Sequence, residues 1–138
     1  MRKKVLFICT HNSARSQIAE GLMNALPGNH YEVCSAGTEP SQVNPYAIKS
    51  MSEIDIDIST NRSKNIHEFK GVEFDYIITV CDNAKERCPV FPGGGRHMHK
   101  AFTDPSRAEG SDDQKLIAFR MVRDEIRDWV QKNFQNIK

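Results

Sequence analysis

Apolar residues along the chain fall into short continuous runs and periodic stripes. Val5 to Cys9 and Phe74 to Cys81 are nearly unbroken apolar runs, the pattern of strands covered on both faces. Tyr31 to Ser35 reads as a further strand ending at Ala36-Gly37, and Met98 to Phe102 is polar enough to be an edge strand. Ile18, Ala19, Leu22, Ala25 and Leu26 recur at helical spacing before Pro27-Gly28, which predicts a helix and its stop. Asn44-Pro45 predicts an N-cap followed by proline at the first helical position, with Ala47, Ile48 and Met51 as a short apolar stripe. Ser111 to Gln114 reads as a capping box. It opens a long helix that buries Leu116, Phe119, Val122, Ile126, Trp129, Val130 and Phe134. Ser59 to Asn65 is polar loop, and Ile66 to Lys70 a brief helical turn. Asp82 to Arg87 reads as one or two turns of helix, and Pro89, Pro92 and Gly93 to Gly95 as a mobile connection.

Strands alternating with helices predict an α/β fold: a central four-stranded parallel sheet with helices on both faces. No repeat or linker divides residues 1–138, so a single domain is expected. In such a sheet ligands bind beyond the carboxyl ends of the strands. Cys9, Ser35, Cys81 and Asp104 all fall at or just after predicted strand ends. They therefore mark one candidate rim.

Composition narrows the function classes. Hydrophobic residues make up 38% of the chain and the formal charge is +1, which gives no basic excess for nucleic acid. Arg2 to Lys4 followed by Val5 to Ile8 mimics a signal peptide, but the apolar run is too short and passes into Cys-Thr-His-Asn. No stretch is long enough to span a bilayer. A cytoplasmic monomer without membrane or nucleic-acid partners is expected. The four cysteines, Cys9, Cys34, Cys81 and Cys88, then read as reactive thiols, a metal site or core packing rather than structural disulfides. Core packing suits Cys34, inside a strand. The Cys81-x6-Cys88 spacing is poor for zinc with His97 and His99, so no metal is expected.

The densest chemistry lies between Cys9 and Ser16. A strand that hands over to a helix through a short polar loop aims several backbone N–H groups at one spot, and the helix dipole adds positive potential. Cys9 begins this loop and Arg15 closes it. The oriented amides, Arg15 and hydroxyl donors from Ser13 and Ser16 favour a thiolate at Cys9. The Arg15 guanidinium can grip two oxygens of a phosphate-like anion at once, which lysine cannot do. Asn12 suits a left-handed turn position. Thr10, His11, Asn12, Ser13, Ala14, Arg15 and Ser16 are thus the candidate oxyanion-binding residues, around the nucleophile Cys9. Asp104, before Pro105, adds a carboxyl group on the same candidate rim.

Residues Cys9 to Ser16 (Cys-Thr-His-Asn-Ser-Ala-Arg-Ser) resemble the phosphate-binding loop of low-molecular-weight protein tyrosine phosphatases. Gln17 to Gly21 (Gln-Ile-Ala-Glu-Gly) is more similar to the thioredoxin-coupled arsenate reductases of the same fold. The likeness extends to Ser35-Ala-Gly37, Val43 to Pro45, Asp57-Ile-Ser59, Cys81 to Pro89, Asp104-Pro105 and Val122 to Ile126, nearly the whole chain. It implies a low-molecular-weight phosphatase-like fold, arsenate as substrate, no organic cofactor, and three catalytic thiols with Arg15, and it makes Asp104 the candidate general acid. In the implied relay Cys9 forms an adduct with arsenate, and Cys81 attacks Cys9 and frees arsenite. Cys88 then attacks Cys81, and thioredoxin reduces the Cys81–Cys88 disulfide. A helix from Cys81 to Cys88 would hold the two sulfurs about 10 Å apart, so it is expected to loosen during turnover. Phosphomonoester hydrolysis through Cys9 is the alternative, although Ser106-Arg107 follows Asp-Pro where the phosphatases usually carry an aromatic residue. A non-enzymatic thiol sensor is a third reading. Against the family pattern, His11 replaces a glycine, and Ala14 fills a position that is often Cys or Leu. Some such reductases bind potassium near the loop. Here Arg62 and Lys64 are expected to supply a built-in cation touching Asn12, Glu20 or Ser35.

Overall fold

A computed structural model of the chain describes residues 2–26, 30–81 and 95–134. Four parallel strands form one sheet in the order β2-β1-β3-β4: β1 (Lys3–Ile8), β2 (Tyr31–Ala36), β3 (Tyr76–Thr79) and β4 (Arg96–His99). Three α-helices accompany them: α1 (Arg15–Asn24), α2 (Pro45–Ser52) and α3 (Asp112–Phe134). The chain leaves β1 for β2 on one side and later returns to β3 on the other. The strand order therefore reverses beside the end of β1, where open α/β sheets bind their ligands.

Alternation along β1 explains the two halves of the core. Val5 and Phe7 face a large cluster shared with Ile18, Leu22, Met51, Phe119, Ile126 and Val130 of the helices. Leu6 and Ile8 face the opposite way, against Phe74 and Ile77, with Ile66, Phe69 and Val72 packed alongside. Among the described residues that second face is covered by the 3₁₀ turn Ile66–Phe69 and the chain just after it. All four apolar side chains of β1 are fully buried, which is why this strand reads as a continuous apolar run. The α2–α3 contact is polar as well. Arg123, 8% exposed, donates to the Ser50 carbonyl at 2.7 Å and to Glu53 at 3.2 Å.

Asn44 caps α2 as its sequence predicts, accepting a hydrogen bond from the Tyr46 N–H at 2.8 Å. Ser111 and Gln114 form the predicted reciprocal box at the start of α3. Two strands differ from expectation. β3 keeps only Tyr76–Thr79 of the apolar run Phe74 to Cys81, because its partner β1 ends at Ile8. β4 begins at Arg96 rather than Met98. It starts from Gly95, at φ 89°, where a Cβ would lie 2.2 Å from the Phe74 carbonyl oxygen. Phe102 lies beyond the strand and packs edge-on against Trp129, ring centroids 6.4 Å apart. The predicted stop at Pro27-Gly28, the turns over Asp82 to Arg87, the connection through Pro89, Pro92 and Gly94, and Cys88 lie outside the described residues. No helix among the described residues is long and apolar enough to cross a membrane.

Candidate active site

The loop between β1 and α1 begins at Cys9, whose N–H bonds the Ala36 carbonyl of β2 at 3.2 Å. Asn12 takes the left-handed conformation, at φ 50°. An asparagine accepts that conformation at low cost, and its fully buried side chain then organises the turn. Asn12 Nδ2 donates to Ser16 Oγ at 2.7 Å, and its Oδ1 accepts from the Lys64 N–H and from Gln17 Nε2, both at 2.9 Å. Gln17, also fully buried, donates further to the Asn12 and Arg62 carbonyls. Ser16 Oγ in turn lies 2.8 Å from Cys9 Sγ. The thiol, 2% exposed, thus sits at the end of a chain of hydrogen bonds that begins outside the loop.

Helix α1 starts at Arg15 with Ala14 at its N-cap and no side-chain capping bond. The positive end of the helix dipole thus lies at the loop, where an anion is favoured. Arg15 is 2% exposed. Its Nη1 donates to the Phe102 carbonyl at 3.2 Å, and its Nη2 lies 3.6 Å from Asp104 Oδ2. Asp104 opens the short turn Pro105–Arg107, and its Oδ1 accepts from the Ser106 N–H at 3.0 Å and from Ser106 Oγ at 2.6 Å. Arg107 Nε stands 3.8 Å from Asp104 Oδ2. Cys9, His11, Ser13, Ala14, Arg15, Asp104 and Ser106 line one small cavity. Thr10, 8% exposed, supports it through its carbonyl, which accepts from the Glu39 N–H at 2.9 Å. A nucleophilic sulfur, a guanidinium, a helix N-terminus and a carboxyl group around one cavity can hold and attack a tetrahedral oxyanion.

Cys81 follows β3 and is fully buried, with Sγ 3.8 Å from the Ile8 carbonyl oxygen, the residue before Cys9. Ser35 belongs to a different layer. Its hydroxyl donates to Glu20 Oε1 at 2.8 Å, beneath the loop rather than on the rim. Glu20 is held also by Asn61 Nδ2 at 3.1 Å. Burial pushes the Glu20 carboxyl above its ordinary range, while Lys64 and the Ser35 hydroxyl pull it down. Cys34 is half-buried against the second core cluster, and burial first, then Glu20 and Glu32, push its thiol up.

The expected built-in cation divides into two cases. Arg62 turns away from the loop to a paired contact with Glu68, at 2.7 and 2.9 Å. Lys64 keeps its ammonium on the Arg62 carbonyl at 2.7 Å and acts on Glu20 by charge. The oxygen groups of this layer are engaged within the protein. Asn12 Oδ1 already accepts two hydrogen bonds, Ser35 Oγ donates to Glu20, and the lysine stands nearby.

Sequence reasoning named Gly37 within a motif but missed its use. A Cβ there would lie 2.4 Å from the Thr10 carbonyl oxygen, 2.7 Å from that of Cys9 and 2.9 Å from the Asn12 nitrogen. All three atoms are loop backbone, so nothing flexible can yield. Gly37→Ala is expected to cost about 3 kcal/mol of stability, measured as a lower urea midpoint at unchanged slope. It should also damage the loop. A midpoint equal to wild type would mean that the loop can move aside.

Comparison with known proteins agrees with this geometry. The family model for low molecular weight phosphotyrosine protein phosphatase matches residues 4–138. A relative named arsenate reductase, from Halalkalibacterium halodurans, is 46% identical over 127 residues, 91% of each chain. A solved structure described as an arsenate reductase in oxidized state has a TM-score of 0.78 and 33% identity, covering 94% of this chain and 95% of that one. A Corynebacterium glutamicum thioredoxin-dependent arsenate reductase has a TM-score of 0.67 and 28% identity, covering 95% of this chain and 61% of that one. With its sulfur loop, its four-stranded parallel sheet and matches across nearly its full length, the chain belongs to the low molecular weight phosphotyrosine protein phosphatase family, among relatives named arsenate reductase.

Proposed function

We propose that the chain reduces arsenate to arsenite through Cys9, Cys81 and Cys88, with thioredoxin as the reductant. Arsenate binds between the loop amides, the N-terminus of α1 and the Arg15 guanidinium. The Cys9 thiolate attacks arsenic, and one oxygen leaves as water after taking a proton from Asp104, giving a Cys9 thiol–arsenate adduct. The Cys81 thiolate then attacks Cys9 Sγ. The electron pair of the S–As bond passes to arsenic, arsenite departs, and a Cys9–Cys81 disulfide remains. Cys88 attacks Cys81 and releases the Cys9 thiolate, and the two thiols of thioredoxin reduce the Cys81–Cys88 disulfide. Every sulfur step is attack by a thiolate on an electrophilic sulfur, so the three cysteines suffice without a resident metal.

The observation that carries this reading is the second buried thiol. Cys81 follows the strand next to β1, against the carbonyl of the residue that precedes Cys9. Hydrolysis of phosphomonoesters needs only Cys9, Arg15 and Asp104, and a weak activity on aryl phosphates is expected from the same loop. The two reactions separate the roles. Cys81→Ser and Cys88→Ser are each expected to slow steady-state arsenite production with thioredoxin by about 100-fold or more, while aryl phosphate hydrolysis stays within about threefold of wild type. Cys81→Ser reducing arsenate at the wild-type rate would overturn the relay.

The crowded Asn12–Glu20–Ser35 layer gives a second expectation. Exchanging sodium for potassium at constant ionic strength should change kcat/KM for arsenate by less than about twofold, because the Lys64 charge already acts on Glu20 and internal hydrogen bonds engage Asn12 Oδ1 and the Ser35 hydroxyl. A several-fold stimulation specific to potassium would contradict it.

A further inference from the structure

His11 is the loop side chain that this mechanism leaves unused. Its Nδ1 lies 3.0 Å from the Glu39 carbonyl oxygen. A carbonyl only accepts, so Nδ1 carries the proton and donates. The backbone is held as well. The His11 carbonyl accepts from Ser63 Oγ at 2.9 Å, and the next residue, Asn12, is locked by its own buried side chain. The bond to the Glu39 carbonyl favours one tautomer of a ring that is itself exposed. In this tautomer Nε2 offers a lone pair. Among the described residues Nε2 has no partner. His11 lines the same cavity as Cys9, Arg15, Asp104 and Ser106.

We propose that His11 is a specificity-determining residue: Nε2 accepts a hydrogen bond from the hydroxyl of a free hydrogen-oxyanion held in the loop, and so favours inorganic dianions over their monoesters. The inference rests on the oxyanion reading of the loop and adds a choice among oxyanions. A free dianion at neutral pH presents three bare oxygens to the loop amides and Arg15, and its hydroxyl is left for the mouth. A monoester carries its organic group in that place. It has no proton to give Nε2, and its bulk must pass the ring. A site built to hydrogen-bond a substrate hydroxyl discriminates strongly against an analogue that lacks it. The same oxygen is the one that takes the Asp104 proton and leaves, so His11 orients the group that becomes water.

Calorimetric titration with inorganic phosphate and with phenylphosphonate tests the idea in wild type, His11→Ala and His11→Phe. Phosphate affinity should fall about tenfold in both variants, the value of one hydrogen bond. Phenylphosphonate affinity should hold in His11→Phe, which keeps a ring at the mouth, and hold or rise in His11→Ala. Phosphate binding within about twofold of wild type in both variants would overturn the proposal. So would a parallel loss of both ligands, which is the mark of a damaged loop. The titrations need neither turnover nor reductant. A chain unable to reduce arsenate would sink the reductase reading and leave this result standing, and a flat titration would do the reverse.

Discussion

Cys9→Ser should lose arsenate reduction and aryl phosphate hydrolysis together, each by about 10⁴-fold or more. The reason lies in what surrounds the sulfur. Its hydrogen-bond partner is Ser16 Oγ, a hydroxyl, which can stabilise an anion but cannot remove a proton from an alcohol. The loop favours a negative atom through amides, a helix terminus and Arg15. It supplies no base at position 9. A thiol is intrinsically far more acidic than an alcohol and attacks as its anion, whereas a serine hydroxyl there stays protonated and unreactive. The substitution is nearly isosteric at a site only 2% exposed, and the new hydroxyl can bond Ser16. Inorganic phosphate should still bind within about threefold of wild type, since no other ligand group has changed. Retained binding with lost chemistry in both assays is the signature of a nucleophile. Multiple turnovers by Cys9→Ser would mean that the nucleophile lies elsewhere.

The same contrast between local and distant partners decides what could be read from the chain alone. Cys9 to Ser16 was legible because its chemistry is contiguous: strand end, turn asparagine, arginine and helix start lie within one short stretch. Asp104 was legible because its proline fixes the turn that presents it, although its meeting with Arg15 bridges the sheet. The buttresses were not legible. Gln17 looks like an ordinary polar residue of an amphipathic helix, and only the approach of Arg62 and Asn61 makes it a buried link. Gly37 has the same appearance whether it ends a strand or lies under a loop. Arg62 was expected to face Asn12, Glu20 or Ser35, and instead meets Glu68 on the turn that follows, a partner set by the path of that turn. The start of β4 turned on Gly95 rather than on apolar content, so the pattern of hydrophobic residues alone set it two residues late.

Arg15→Lys carries the second large effect, a fall of about 10³-fold in kcat/KM for arsenate, equivalent to roughly 4 kcal/mol. Arginine meets two demands at this position, and lysine meets neither fully. The guanidinium is planar, so one edge can face two oxygens of the substrate while another nitrogen stays on the Phe102 carbonyl, 3.2 Å away. A lysine ammonium is a single point with a full hydration shell, and in a position 2% exposed that shell has little room. The second demand concerns Asp104. Its Oδ2 stands 3.6 Å from Arg15 and 3.8 Å from Arg107, and its other oxygen is tied to Ser106. Withdrawing Arg15 removes one of the groups that set where the carboxyl points. The loss should therefore divide between KM, through the missing oxygen contacts, and kcat, through the displaced acid. Phosphate inhibition should weaken in step with the KM part alone. If Arg15→Lys kept kcat/KM within about threefold of wild type, a plain positive charge would be enough here, and the planar fork would have no part in holding the oxyanion.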